Sequence, residues 1–217
     1  MECDTLDDSI CEDGPCEDVR PSPFIQFRSM SDIEAYGWFN TLLDIEQMPE
    51  ELFLIYNVVR WWVPHPKLAM EIGSGAGGNI CMLSRLLEGD GELIGIEPEL
   101  YMPFPKDIIQ YIIDPIKLHH IRGLSRDAST VNEVINTLGD RKLDILFIDG
   151  DHAYESVKGD WGAYHELVNS PGVVVFHDII GGQGGPGIFY PELLSAGYRG
   201  VLACLHRDRY GTGVILI

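Results

Sequence analysis

From residue 67 to the end of the chain, short apolar runs alternate with amphipathic stretches. This alternation, which begins at Lys67, is typical of parallel strands joined by crossover helices. The pattern predicts strands over residues 68–72, 92–96, 118–121, 143–148 and 173–176. It predicts helices between them over residues 79–87, 106–113, 128–138 and 153–168. The predicted fold class is therefore α/β, with a doubly wound sheet.

Two helices are predicted before this region. Ser31 and Glu34 form the S-x-x-E pattern of a capping box, and apolar residues at helical spacing follow as far as about Asp44. Pro49 favours the first turn of a second helix, which should end before Pro64. These helices could cover a ligand, or serve as a packing layer or the surface of a homo-oligomer.

The end of the chain is predicted to be a glycine-rich loop, a short helix and a hairpin. The loop covers residues 181–187 and the helix residues 191–196. The hairpin pairs residues 201–206 with residues 213–217. The predicted domain organisation is a tail over residues 1–23, helices over residues 24–66 and one domain over residues 67–217.

The composition of the N-terminal tail and the net charge of the chain argue against some locations and binding partners. Residues 1–23 hold eight carboxylates and one arginine, a composition typical of a disordered segment. This acidic start is unlike a signal peptide, and no apolar run reaches the ~20 residues that span a bilayer. We therefore expect a cytoplasmic protein with no membrane partner. A net charge of −19 repels nucleic acid, so a small-molecule substrate is expected.

A glycine-rich turn follows the first predicted strand, in the stretch from Met70 to Asn79. Glycines let main-chain N–H groups approach a ligand, as nucleotide sites require. Two classes of ligand are consistent with the sequence of this turn. Gly73, Gly75 and Gly78 match the dinucleotide pattern G-x-G-x-x-G, whereas Glu71 followed by glycines at 73, 75 and 77 is similar to the S-adenosylmethionine loop of methyltransferases.

Polar residues follow the other strands, at the sheet edge where ligands of such folds bind. Glu97 comes after the second strand, about twenty residues beyond the loop, where a carboxylate can accept both hydroxyls of a ribose. After the third strand, Ser125 could meet an adenine edge. Asp127 is better explained as the N-cap of the next helix.

Asp149 and Asp178 end the fourth and fifth strands, which should be neighbours in the sheet. Two adjacent carboxylates repel each other unless a cation lies between them, so the pair could hold Mg²⁺ or could be solvated separately. His152 follows Asp149 by three residues, and its near-neutral reference pKa suits a general base. A structural histidine is the alternative.

Three segments together resemble the class I S-adenosylmethionine-dependent methyltransferases, near the catechol and caffeoyl-CoA O-methyltransferases. They are the glycine loop, the D-G-D-H-A-Y-E segment that starts at Asp149, and the segment from Pro171 that ends in His177 and Asp178. The resemblance covers about residues 67–217. It implies a Rossmann-like seven-stranded sheet of order 3-2-1-4-5-7-6 with the last strand antiparallel, and an O-methyltransferase of a small hydroxylated molecule.

The resemblance also implies roles for single residues. S-adenosylmethionine would be held by Glu71, Gly73, Ser74, Gly75, Gly77, Asn79, Glu97, Ser125, Arg126 and Asp149. Asp149 and His152 would be catalytic, and Asp149, Asp178 and His177 would hold Mg²⁺ if a metal is bound. Relatives usually supply a further ligand directly after the second aspartate, where this chain has Ile179. The alternative functions are a non-catalytic cofactor-binding protein and a nicotinamide oxidoreductase.

Overall fold

A computed structural model describes residues 30–100, 103–180, 184–203 and 211–217. The predicted tail over residues 1–23 lies outside the described residues. In chain order the elements are α1 (Asp32–Leu43), α2 (Pro49–Trp62), β1 (Leu68–Ile72), α3 (Gly78–Ser84), β2 (Glu92–Ile96), α4 (Lys106–Ile113), β3 (Lys117–Ile121), α5 (Ala128–Leu138), β4 (Leu143–Ile148), α6 (Tyr154–Tyr164), a 3-10 turn (His165–Leu167), β5 (Val168–Phe176), α7 (Gly185–Ser195), β6 (Arg199–Ala203) and β7 (Thr212–Leu216).

The strands form one seven-stranded sheet of order β3-β2-β1-β4-β5-β7-β6. Strands β1 to β5 pair in parallel, and β7 runs antiparallel to both β5 and β6. The predicted order and the antiparallel last strand are confirmed. This order reverses direction between β1 and β4, so a crevice is expected at the carboxyl ends of these two strands.

Both faces of the sheet are covered, as the continuous apolar strands require. Side chains alternate between two buried clusters: Ile145 and Phe147 of β4 belong to one, and Leu146 and Ile148 to the other. The first cluster includes residues of α1 to α4, and the second includes residues of α5, α6 and α7. No helix among the described residues is long and apolar enough to cross a membrane.

The two N-terminal helices belong to the first of these clusters. The capping box of α1 forms as predicted, with the Ser31 hydroxyl accepting from the Glu34 amide and the Glu34 carboxylate accepting from the Ser31 amide. Buried Phe39 and Ile55 face the same core as strand residue Val214. Helices α1 and α2 therefore pack on the same face of the sheet.

Several predicted boundaries were wrong, and the largest differences concern β5, α6 and α7. Strand β5 begins at Val168, five residues before its predicted start, because its first part pairs with β4 through a register shift that breaks the apolar pattern. The helix predicted over residues 153–168 therefore ends at Tyr164. Helix α7 begins at Gly185, inside the predicted glycine loop, with a proline in its first turn. The middle of the predicted hairpin, residues 204–210, lies outside the described residues.

Candidate active site

A cavity of about 620 Å³ opens at the carboxyl ends of the central strands. Its walls come from the segments that follow β1, β2, β3 and β4, together with the connection between α1 and α2. Of the residues predicted to bind a cofactor, those that line it are Glu71, Gly73, Ser74, Gly75, Asn79, Glu97, Ser125, Arg126 and Asp149. The structure thus brings together nearly the whole predicted set.

Gly77 is the predicted cofactor residue that does not line this cavity. Its φ of +87° lies in the left-handed region, and a side chain there would overlap Ile109 of α4. Gly78, the last glycine of the dinucleotide pattern, has a similar explanation, because a side chain there would overlap the Asp44 carbonyl. Backbone conformation and packing at Gly77, and packing at Gly78, therefore account for both glycines.

Gly73 and Gly75 form the part of the loop that faces the cavity. Gly73 has a φ of +82°, and a side chain there would overlap the main chain of Asp149. This close approach places the loop directly beside the end of β4. Gly75 has a φ of +47° with open space around it, so its main chain is accessible to a ligand.

Glu71 lies at the bottom of the cavity and is 1% exposed. One carboxylate oxygen accepts a hydrogen bond from the Asn79 amide at 2.5 Å, while the other has no partner. Burial raises the pKa of Glu71 to about 8, although the Asn79 hydrogen bond opposes the shift. Such an acid can hold a proton in the empty cavity and lose it beside a cationic ligand.

Glu97 also lines the cavity and comes directly after β2. Its Oε2 accepts from the Gly75 amide at 3.0 Å, and its Oε1 accepts from the Glu99 amide at 3.2 Å. These two bonds fix the carboxylate against the glycine loop. Each oxygen keeps capacity for a further hydrogen bond, because a carboxylate oxygen has two lone pairs.

Ser125 and Arg126 form the opposite end of the cavity, after β3. The Ser125 hydroxyl donates to Asp160 of α6 at 2.6 Å, and burial raises the pKa of Asp160 to about 6. Arg126 passes over Gly159, where a side chain would crowd the arginine. Exposed Leu100 and Leu124 also line the cavity and provide apolar surface for a flat ring.

Two aspartates and two histidines meet beside the cavity where β4 and β5 end. His177 Nδ1 is 3.1 Å from Asp149 Oδ1 and 3.4 Å from Asp178 Oδ1. His152 lies 3.6 Å from Asp149 Oδ1 and 3.3 Å from Asp178 Oδ2, with 46% of its side chain exposed. Asp149 is the member of this group that lines the cavity. The predicted pairing of the two strand ends is therefore observed.

Residues of α2 and its preceding loop complete the group. The Gln47 amide donates to Asp149 Oδ2, and Glu51 Oε2 is 3.6 Å from His177 Nε2. Gln47 and Glu51 are buried, at 3% and 6% exposure. The buried histidine thus lies among three carboxylates, and both ring nitrogens face an acid.

The ionisation of this group follows from its contacts. Burial disfavours the charged form of His177, but hydrogen bonds with Asp149 and Glu51 prevail and raise its pKa to about 10. Burial also opposes the charge of Asp149, yet hydrogen bonds with His152 and His177 hold its pKa below the usual value. The hydrogen bond to Asp149 raises the pKa of His152. A buried imidazolium therefore balances the acids.

The predicted metal ligands do not fit a divalent ion as they are arranged. Both oxygens of Asp149 face hydrogen-bond donors, and His177 is directed at carboxylates through both nitrogens. Within the part of the chain that the structure describes, no group of three or more His, Cys, Asp or Glu side chains could hold a metal ion. Ile179, where relatives supply a ligand, is buried in the apolar core.

Sequence reasoning missed the wall formed by Asp44, Ile45, Glu46 and Gln47. Nothing in this short polar connection between two helices has the spacing of a binding motif. The one available signal was a glutamate and a glutamine shortly before a helix for which covering a ligand was one of the alternatives. Their place in the cavity depends on how α1 and α2 pack on the sheet.

Comparison with known proteins gives one family. A family model described as a methyltransferase domain matches residues 70–179, which is half of the chain. An uncharacterized protein, R132, of Acanthamoeba polyphaga mimivirus is 33% identical over 113 residues, which cover 50% of each protein. The chain therefore spans about half the length of this curated relative.

Solved structures share the fold at low identity. The O-methyltransferase TomG from Streptomyces achromogenes, in complex with SAM, aligns with a TM-score of 0.59 and 17% identity over 91% of this chain and 90% of TomG. MycE, from the mycinamycin biosynthetic pathway, gives a TM-score of 0.61 at 17% identity over 87% of this chain and 54% of its own, in complex with Mg, SAH and mycinamycin VI. CalS11, a TDP-rhamnose 3'-O-methyltransferase, gives 0.55 at 16% identity over 83% of this chain and 92% of its own.

Proposed function

Because this chain belongs to the methyltransferase domain family, we propose that it transfers the methyl group of S-adenosylmethionine to a hydroxyl of a small molecule. The observation that carries the proposal is the cavity beside Asp149 and His152, which offers a cofactor-sized space next to a possible base. The O-methyltransferase names of TomG and CalS11 support the choice of oxygen as the acceptor atom.

The unpaired polar atoms of the cavity fit the proposed cofactor. Glu71 Oε2, Ser74 Oγ and Asn79 Oδ1 are buried without partners, and all three residues line the cavity. Polar atoms left in this state cost free energy unless a ligand satisfies them. Glu71 and Asn79 would hold the amino acid part of S-adenosylmethionine, with the main chain of Gly73 and Gly75 alongside.

The opposite end of the cavity fits a nucleoside. The fixed Glu97 carboxylate would accept the two ribose hydroxyls, and Ser125 and Arg126 would lie at the adenine. Exposed Leu100 and Leu124 would cover the faces of the ring. Each of these contacts follows the predicted set, to which the two leucines are added.

Bound S-adenosylmethionine supplies an electrophilic methyl group on a sulfonium sulfur. Asp149, at the junction of the cavity and the acid and histidine group, would orient the acceptor hydroxyl. His152 would take the hydroxyl proton, since it is half exposed and contacts Asp149 and Asp178, which stabilise the imidazolium that forms. His177 and Gln47 hold the Asp149 carboxylate in place for this step.

Calorimetry with S-adenosylmethionine and with S-adenosylhomocysteine tests the cofactor. We expect binding of both, and we expect Glu97→Gln to weaken it about tenfold or more through the loss of a charged acceptor. Glu50→Gln is a matched control, because Glu50 is an exposed acid on α2 that does not line the cavity. Absence of binding to the wild-type protein would refute the proposal, and tight binding of NADH would instead favour an oxidoreductase.

A panel of hydroxylated acceptors, followed by mass spectrometry, tests the reaction. The expected product is heavier by one methylene, with one S-adenosylhomocysteine formed per product. Cofactor binding without methylation of any acceptor would favour a cofactor-binding protein without turnover.

A further inference from the structure

The side chains that line the cavity carry mostly negative charge. Its six carboxylates are those of Asp44, Glu46, Glu71, Glu97, Asp149 and Asp151. The one cationic side chain on the same wall is Arg126, which lies at the end proposed for adenine and is 43% exposed. The rings of His152 and His177 do not line the cavity, and they face Asp149, Asp178 and Glu51.

The proposed cofactor uses only part of this wall. Glu71 and Glu97 would be taken by the amino acid and the ribose, and Asp149 and Asp151 already have side-chain partners, which leaves the two carboxylates of the α1–α2 connection. Asp44 and Glu46 both remain accessible to water, so a second molecule can reach them. Partial burial and the charge of Asp149 raise the pKa of Glu46, although the charge of His177 opposes the shift.

A buried side chain at this end also lacks a partner. Gln47 is 3% exposed and lines the cavity, and its amide nitrogen donates to Asp149. Its carbonyl oxygen, Oε1, makes no hydrogen bond. A buried amide oxygen needs a donor, which a ligand in the cavity would supply. Gln47 Oε1 and the exposed carboxylates of Asp44 and Glu46 are therefore all hydrogen-bond acceptors.

We propose that Asp44, Glu46 and Gln47 form an acceptor subsite that selects a small molecule carrying an ammonium group as well as the hydroxyl to be methylated. This inference rests on the proposed function. The ammonium group donates to Gln47 Oε1 and faces the two carboxylates, while the hydroxyl lies at Asp149 and His152. Phosphorylated or carboxylated acceptors are disfavoured, because each added negative charge meets an acidic wall.

The test uses probes that differ in charge but share a scaffold. Glucosamine, glucose and glucuronate form one set, and dopamine, 4-ethylcatechol and 3,4-dihydroxyphenylacetate form another. Dissociation constants are measured by ligand-observed NMR on the protein loaded with S-adenosylhomocysteine. In each set the cation should bind about tenfold more tightly than the anion, the order expected for one charge interaction near a protein surface.

Substitutions test whether the preference for cationic probes comes from the subsite. Glu46→Gln should reduce the ratio of anion to cation dissociation constants at least about threefold, whereas Glu50→Gln, a charge loss four residues away and outside the cavity, should leave the ratio unchanged. Gln47→Leu should weaken the cations more than the neutral probes.

Three results would overturn the inference: equal binding of cation and anion, an unchanged ratio in Glu46→Gln, or no detectable binding of any of the six probes. Calorimetry with S-adenosylhomocysteine on the same samples separates the two proposals. If the cofactor binds and the charge order is absent, the acceptor inference alone fails. If the cofactor does not bind, the proposed function fails first.

Discussion

Replacing Glu71 with glutamine should abolish a proton release that accompanies cofactor binding. The carboxyl is buried at the bottom of the cavity, and its pKa of about 8 leaves roughly one tenth of it ionised at pH 7. A cationic amino group placed beside it would favour the carboxylate. Binding at pH 7 should therefore release most of one proton per ligand, and the ionisation should cost about a tenfold loss of affinity relative to high pH.

The assay is calorimetry of S-adenosylhomocysteine binding at pH 7 in buffers of different ionisation enthalpy, such as phosphate and Tris. The slope of observed enthalpy against buffer enthalpy gives the number of protons released. Wild-type protein and the Glu50→Gln control should give the same slope, and Glu71→Gln should give a slope near zero. A zero slope in the wild-type protein, or proton uptake, would refute the assignment of Glu71 to the amino group.

The same carboxyl should make the free protein less stable as the pH rises. The folded pKa is raised from 4.5 to about 8, so between these values the folded state binds more protons than the unfolded chain. Glu71 should therefore lower the free energy of unfolding by about 3 kcal/mol between pH 5 and pH 8. Urea unfolding of wild type and Glu71→Gln at both pH values measures this difference, which saturating S-adenosylhomocysteine should reduce.

Three further predictions address the base, the metal and the glycine loop. His152→Ala should lower kcat about 10²- to 10⁴-fold while cofactor affinity stays within about twofold, and an unchanged kcat in single-turnover assays would exclude His152 as the base. Because both Asp149 oxygens already face donors, EDTA should leave the methylation rate unchanged; a loss that added Mg²⁺ restores would contradict this. Gly77→Ala should lower stability by about 2–4 kcal/mol through overlap with Ile109, whereas Gly139→Ala, also at positive φ but in open space, should cost about 1 kcal/mol; equal urea midpoints would contradict the packing argument.

The sheet could be predicted because its strands are recognisable from their local sequence. Buried parallel strands are continuous apolar runs, so β1, β2 and β4 were located to the residue. The meeting of Asp149 and Asp178 then follows from strand order alone. The glycine-rich start of α7 gave no helical signal, because its helix is set by contact with α6 rather than by propensity.

The residues of the candidate site also differ in whether they could be predicted from the sequence. Residues that follow strands were found, since the topology brings all strand ends to one edge. Gln47 and Glu51 were not, because a residue just before or within a packed helix reaches the site only through the tertiary arrangement. Sequence spacing also could not show that His177 faces acids through both nitrogens, on which the fit of a metal depends.

The residues proposed to bind the methyl donor and those proposed to select the acceptor lie in different parts of the sequence. The region shared with the methyltransferase family, residues 70–179, holds the residues proposed for the cofactor, whereas Asp44, Glu46 and Gln47 lie before it. Under these proposals, sequence comparison over the shared region reports on the methyl donor and on the groups that meet the acceptor hydroxyl, and it omits the residues proposed to select the rest of the acceptor. Grafting a connection of different charge between α1 and α2 should therefore change the acceptor preference and leave the proposed donor site in place.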